Sequence, residues 1–192
     1  MRRAAVWVLL GASAAMTQMQ VLTLPPDAMA PEYAPPANLD FEKGTPGQLP
    51  PEWSLAQESR IAGYTAEWRS EGCRGGRGCA VVIAGPHVEN RIAGALVQQC
   101  SALPYRGKRM RLRAWVKLGN ARKSDRIKVI FTTDGESSAE TFVQKGGVNA
   151  AEWTLAEVDG KVPMRADEIH LVVTMTGKGQ AWIDDVAFEE VR

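Results

Sequence analysis

Toward its C-terminal end the chain reads Gly177-Lys178-Gly179-Gln180-Ala181-Trp182-Ile183-Asp184-Asp185-Val186-Ala187-Phe188. A Gly-x-Gly turn opens this stretch, and apolar and polar residues then alternate, imperfectly, around two adjacent carboxylates. Alternation with a period of two is the pattern of a half-buried strand. Asp is depleted in strands, and a carboxylate drawn out of water requires a partner, so the acidic pair sets this strand apart. A companion lies far upstream in Asn38-Leu39-Asp40-Phe41-Glu42-Lys43-Gly44, the first ordered-looking segment after a proline-rich lead.

Between the two, short apolar-rich runs are separated by Gly, Pro, Asn and Asp. The expected strands are Leu39–Glu42, Trp53–Gln57, Tyr64–Trp68, Cys79–Ala84, Ala95–Ser101, Lys108–Leu118 and Ile127–Thr132. They continue with Thr141–Val143, Trp153–Val158, Glu168–Thr174, Gln180–Ile183 and Val186–Val191. Outside the Ala-rich run at 4–15, no stretch of a dozen residues keeps a helical period, and no internal repeat is visible. Many short strands punctuated by turn residues specify an antiparallel sandwich or barrel.

The 192 residues suit one domain, with 45% hydrophobic and 23% charged residues, an ordinary globular balance. A formal net charge of +1 supplies no bulk field to recruit nucleic acid or an acidic membrane. Arg2 and Arg3 followed by the uncharged run Ala4 to Ala15, ending in Ser13-Ala14-Ala15, read as an export signal cleaved near Ala15; the alternatives are an uncleaved anchor and a misassigned start. Residues 16–37, with Pro25-Pro26, Pro31 and Pro35-Pro36, read as an extended tether, and 38–192 as the domain. The expected location is therefore periplasmic or secreted, with no membrane span once the signal is removed. Cys73 and Cys79 flank Arg74-Gly75-Gly76-Arg77-Gly78 between two strand-like runs. A bridge there staples a hairpin and contributes about 2 kcal/mol in the chain-entropy model; the alternative is two free thiols in a mobile loop. Cys100, in a strand-like run, is expected to be a buried thiol, and the two histidines, His87 and His170, sit at no zinc-ligand spacing. The Arg74-to-Gly78 loop has the composition of RNA-binding Arg-Gly-Gly segments, but a single copy in a nearly neutral chain reads as a hairpin tip.

The middle of the chain adds Leu96-Val97-Gln98-Gln99, then Pro104-Tyr105-Arg106-Gly107-Lys108-Arg109, then the run Met110 to Lys117. Downstream come Trp153, Val162-Pro163 and the Ile169-to-Met175 run. In this order, and with the opening and closing stretches, they resemble the galactose-binding-like jelly rolls. That group includes the carbohydrate-binding modules found beside bacterial cellulases and xylanases. The resemblance spans residues 38–191 and implies an all-β, antiparallel jelly-roll β-sandwich. It also implies a structural calcium ion pinning the chain ends, with Glu42 and Asp185 as side-chain ligands and Asn38 and Asp40 as further oxygen donors. Calcium takes six to eight oxygens, which clustered carboxylates help supply. The alternative is that Asp184 and Asp185 cap turns or pair with Arg and Lys without metal.

The run 108–118 carries the functional expectation. Strict alternation sends Met110, Leu112, Ala114 and Val116 to one face and Arg111, Arg113, Trp115 and Lys117 to the other. An indole between cations suits a sugar surface, because the ring stacks on a pyranose C–H face while Arg or Lys donates to hydroxyls. Lys128 and Thr132, with His170 and Thr174, are expected to extend that face. Trp68 and Tyr105, near turns, are further ligand candidates. The alternative is that Trp115 covers a small cluster beneath a loop, with the cations solvated. Trp53, Trp153 and Trp182 are expected in the core. No nucleophile elbow, P-loop or His-Glu-x-x-His stretch is present, and adjacent Asp184 and Asp185 would point to opposite faces of a strand. The reading is an exported, non-catalytic module binding cell-wall or exopolysaccharide glycan; the alternative is a protein-interaction or envelope-assembly module on the same fold.

Overall fold

The structure, a computed structural model, describes residues 34–88, 92–135 and 139–191. The expected signal segment, and the tether as far as residue 33, lie outside those residues. Ten strands form: β1 (Ser54–Leu55), β2 (Tyr64–Arg69), β3 (Cys79–Ala84), β4 (Gly94–Ser101), β5 (Arg109–Gly119), β6 (Arg126–Gly135), β7 (Glu140–Val143), β8 (Thr154–Lys161), β9 (Ala166–Thr176) and β10 (Gln180–Glu190). A single turn-and-a-half of helix, α1 (Gln57–Ile61), replaces the end of the expected strand at 53–57.

The strands make two antiparallel five-stranded sheets, β2-β3-β10-β5-β8 and β1-β4-β9-β6-β7. This is an all-β jelly-roll sandwich. Its core lies between the sheets, where alternation sends Met110, Leu112, Ala114 and Val116 of β5 against Ile127, Val129 and Phe131 of β6 and Ile169, Leu171 and Val173 of β9, all at most 1% exposed. Each of these side chains larger than Ala114 stabilises the fold by roughly 1.5–3 kcal/mol relative to exposure.

Two departures from the expected strands have backbone causes. The segment Leu39–Glu42 is not a strand, because Asn38 (φ 49°) and Phe41 (φ 54°) adopt left-handed conformations that break an extended run. It still meets the last strand through one bond, Val186 N donating to the Leu39 carbonyl at 2.9 Å. The two expected strands at 180–183 and 186–191 are one strand, β10, interrupted by a bulge where the register against β5 shifts between Asp184 and Ala187. Asp185 sits at that bulge with φ 45°. Residues 34–37, within the expected tether, are bonded to β4: the Ser101 amide donates to the Ala34 carbonyl at 3.1 Å, and the Gln98 side chain exchanges bonds with the Ala37 backbone at 2.7 and 2.8 Å. These residues line β4 where β1, two residues long, does not reach.

Trp68, expected at a ligand-contacting turn, is instead 5% exposed and part of the core. Its indole Nε1 donates to the Phe41 carbonyl at 2.7 Å. Gly44 and Gly78 lie against its ring so closely that a Cβ at either position would collide with it. The ring thus clasps the opening segment to the loop before β3. Trp68→Ala is expected to lose about 3–5 kcal/mol of unfolding free energy. Trp68→Phe, which orphans the Phe41 carbonyl, should lose about 1–3 kcal/mol. Urea titration followed by circular dichroism measures both, and a cost below about 1 kcal/mol for Trp68→Ala would show that the ring holds nothing together.

Candidate functional site

The outer face of the sheet β2-β3-β10-β5-β8 is built from cross-strand rows. In register, Arg111 lies between Glu189 of β10 and Asp159 of β8, and Arg113 between Ala187 and Glu157. Trp115 lies between Asp184 and Leu155, and Lys117 opposite Trp182. The rows nearest Arg109 are an ion-pair ladder. Arg111 grips Asp159 with two bonds of 2.6 and 3.0 Å, Arg109 stands 3.6 Å from the same carboxylate, and Arg113 stands 3.3 Å from Glu189. The hydrogen bond from Arg111 holds the Asp159 carboxyl below the usual carboxylate range, and the same bond raises the Arg111 guanidinium.

The other end of the face is aromatic. Trp115, Trp153 and Trp182 are all half-buried there, with Leu155 38% exposed beside Trp115. Trp153 and Trp182, expected in the core, belong instead to this outer cluster. Cations lie on the rings: Arg74 at 4.1 Å from Trp115, Lys117 at 4.7 Å from Trp153 and 5.0 Å from Trp182, and Arg69 at 5.0 Å from Trp182. The segment before β3 folds down over Trp182. Lys117 Nζ donates to the Gly72 carbonyl at 2.8 Å, and Gly72 packs on the indole. A loop borders Trp115, and Arg74 of that loop lies on its ring.

The expected extension of this face divides between the two sheets. Lys128 and His170 have their apolar neighbours pointing inward as anticipated, but β6 and β9 belong to the other sheet, so both face the opposite side of the sandwich. His170 sits there between Gln99 and Thr132, 3.0 Å from Glu168, which also accepts from Gln99. Lys128 pairs with Thr174. Alternation along one strand settles its two faces but not which sheet the strand joins. Tyr105 is half-buried, edge-on to Phe188 at 5.1 Å, with its hydroxyl pushed up by burial. Of the expected ligand residues, the structure groups Arg111, Arg113 and Trp115 and separates Lys128, His170, Trp68 and Tyr105 from them. Sequence reading missed Arg74, Trp153, Leu155 and Trp182. The Trp-x-Leu pattern at 153–155 was the available signal, since β8 puts alternate residues beside β5.

The oxygen donors that the resemblance suggests for calcium are engaged by the chain itself. Asn38 accepts from the Lys43 amide at 3.0 Å and donates to the carbonyls of Lys43 and Pro51. Asp40 accepts from the Glu42 amide at 3.3 Å. Both Glu42 oxygens take the Arg77 amide, at 2.9 and 3.0 Å, and Asp185 pairs with Arg74 at 2.5 Å. Asp184, 1% exposed, takes the amides of Arg74 and Gly75 at 2.9 and 3.4 Å, and burial raises its carboxyl against the pull of those donors. The bulge lets Asp184 and Asp185 address the same loop, whereas unbroken alternation would have sent them apart. Among the described residues no group of three or more His, Cys, Asp or Glu converges as a metal site requires, and each side chain expected to hold calcium is already bonded within the chain. Also among them, no helix is long and apolar enough to cross a membrane.

Cys73 and Cys79 are joined, with Cα atoms 5.5 Å apart. Cys100 is free and buried in the core, and burial pushes its thiol up to about 12.

No protein-family model matches the chain, and no curated protein sequence matches it. Solved structures do. The CBM22-1–GH10 modules of Clostridium thermocellum endo-1,4-beta-D-xylanase 10B, complexed with xylohexaose, align at TM-score 0.58 and 17% identity over 80% of this chain. The chain spans only 27% of that structure. The CBM22-1 xylan-binding domain of a Paenibacillus barcinonensis protein aligns at TM-score 0.56 and 12% identity, covering 80% of this chain and 92% of that one. A cyclase from Fischerella sp. TAU aligns at TM-score 0.57 and 13% identity, covering 81% and 95%. The class is therefore defined at the level of fold: this chain has the jelly-roll sandwich of the carbohydrate-binding modules. The same fold is also found in a chain described as a cyclase.

The environment of Cys100 makes a direct test. Native protein without reductant is expected to resist a disulfide-exchange thiol reagent and to release a single equivalent after denaturation. Rapid labelling of the native state would contradict a thiol held protonated in the core.

Proposed function

We propose that the protein is an exported, non-catalytic glycan-binding module whose sugar surface is the aromatic end of the β5–β8 face. One observation carries this reading: half-buried tryptophans, Trp115 and Trp153, lie with Leu155 on one sheet face beside Arg113 and Lys117. The two indoles, on which Arg74 and Lys117 lie, and the exposed Leu155 side chain offer apolar surface for C–H stacking, and the neighbouring cations offer donors for hydroxyls. The fold shared with xylan-binding domains makes β-linked pyranose polymers the first ligands to try. Against catalysis, three carboxylates of this face are engaged. Asp159 is gripped by Arg111, Glu189 stands against Arg113, and Asp184 is held by backbone amides. A hydrolase of this kind needs one carboxyl kept protonated and another free at a fixed separation. The Cys73–Cys79 bridge supports a location outside the reducing cytoplasm.

A second reading, protein docking, draws support from the other sheet. There Val97, Val172, Ile130 and Val143 lie in register as an apolar row across four strands, with Val143 44% exposed.

Affinity electrophoresis and glycan-array binding separate the two. Soluble xylan or another array glycan is expected to bind the full chain. Trp115→Ala and Trp153→Ala should each weaken that binding by about tenfold or more, with circular dichroism unchanged. Lys128→Ala and His170→Ala, on the opposite side, should not. Binding indifferent to Trp115→Ala, or a blank array from folded protein, would sink the sugar reading and favour the Val172 face.

A further inference from the structure

Glu42, Asp184 and Asp185 come from the first ordered segment and the last strand, and their hydrogen-bond donors come from one short loop. That loop is closed by the Cys73–Cys79 bridge, six residues apart in sequence. The Arg74 guanidinium meets Asp185 at 2.5 Å, the Arg74 and Gly75 amides meet Asp184, and the Arg77 amide meets both oxygens of Glu42. We infer that this disulfide-closed loop is a built-in substitute for a divalent cation, tying the two ends of the domain together with one guanidinium and three backbone amides.

The chemistry is equivalent in kind. A divalent ion joins separated carboxylates by charge and by several short contacts. Here one full charge comes from Arg74, and successive N–H groups of a glycine-rich turn add partial positive charge, as in a backbone anion nest. A free loop with Gly75, Gly76 and Gly78 would lose much conformational entropy on docking, and the bridge removes part of that loss in advance. Gly76 is in the left-handed region (φ 60°) and lies so close that a Cβ would strike the Glu42 carboxylate. The loop is also fixed from its other sides, by Trp68 packed on Gly78 and by Trp115 beneath Arg74. Loop, carboxylates and bridge act as one unit, so the device depends on oxidation rather than on calcium.

Thermal melts of the full chain test this. Oxidised protein should melt at the same temperature in millimolar calcium and in excess chelator. Reduction, or the Cys73→Ser/Cys79→Ser pair, should lower the midpoint by roughly 5 °C or more. A bridge alone would explain that loss, so Arg74→Gln with the bridge intact provides the second arm. It should lower the midpoint by a few degrees, and this effect should shrink when Asp185→Asn is already present, because the two side chains share one contact. A calcium-dependent rise in the oxidised wild type would overturn the inference. So would Arg74→Gln that melts like wild type, or an Arg74→Gln effect that is undiminished in the Asp185→Asn background.

Discussion

A carboxylate removed from water must be given donors, and at Asp184 those donors come from a loop 110 residues earlier in the chain. Much of the molecule's outer architecture depends on this single requirement. Asp184 lies on the outer side of its sheet yet is 1% exposed, because the 73–79 loop lies across it. Once the loop is there, Arg74 rests on Trp115, Gly72 on Trp182, and the Arg77 amide on Glu42. The β10 bulge is the geometric condition for this: without it Asp185 would face away and Arg74 would have lost its ion-pair partner.

The same loop divides the sheet face into zones of different character. Above Trp182 it leaves the indole half-covered, and beyond Trp115 it ends, so Leu155 and Trp153 border open surface. Along the same strand toward Arg109 the face changes to paired charges. The passage from aromatic groups to paired charges within one strand is the feature on which the proposed glycan reading rests.

Strand identity was legible because period-two alternation directly reflects which side chains leave water. β3 lies where the apolar run Cys79–Ala84 places it, and the inward set of β5 is the one alternation selects. What alternation does not encode is sheet membership. His170 and Trp115 each sit on the polar face of a central strand, and both local patterns are correct, yet the faces look in opposite directions because the strands cross between sheets. Nor does it reveal where a strand yields to left-handed backbone. Phe41 is fully buried at φ 54°, a conformation that costs energy for an aromatic residue and is maintained by the packing around it. The acidic pair was legible as a feature needing partners. Which partner it takes depended on a loop whose placement is a tertiary fact, as did the outer position of Trp153 and Trp182, which burial statistics assign to the core.

The charge balance follows from the same pairing logic. The chain holds 23 basic and 22 acidic side chains, and on the β5 face they neutralise one another at short range: Arg111 with Asp159, Arg113 with Glu189, Arg74 with Asp185. Half-exposed pairs of this kind contribute little to stability individually. Their larger effect is on the field of the face. A face whose guanidinium groups are matched by carboxylates, with Lys117 left on the indoles, projects only a weak long-range field. On the proposed reading, recognition there rests on contact, through stacking, shape and hydrogen bonds whose donors the ion pairs hold in place.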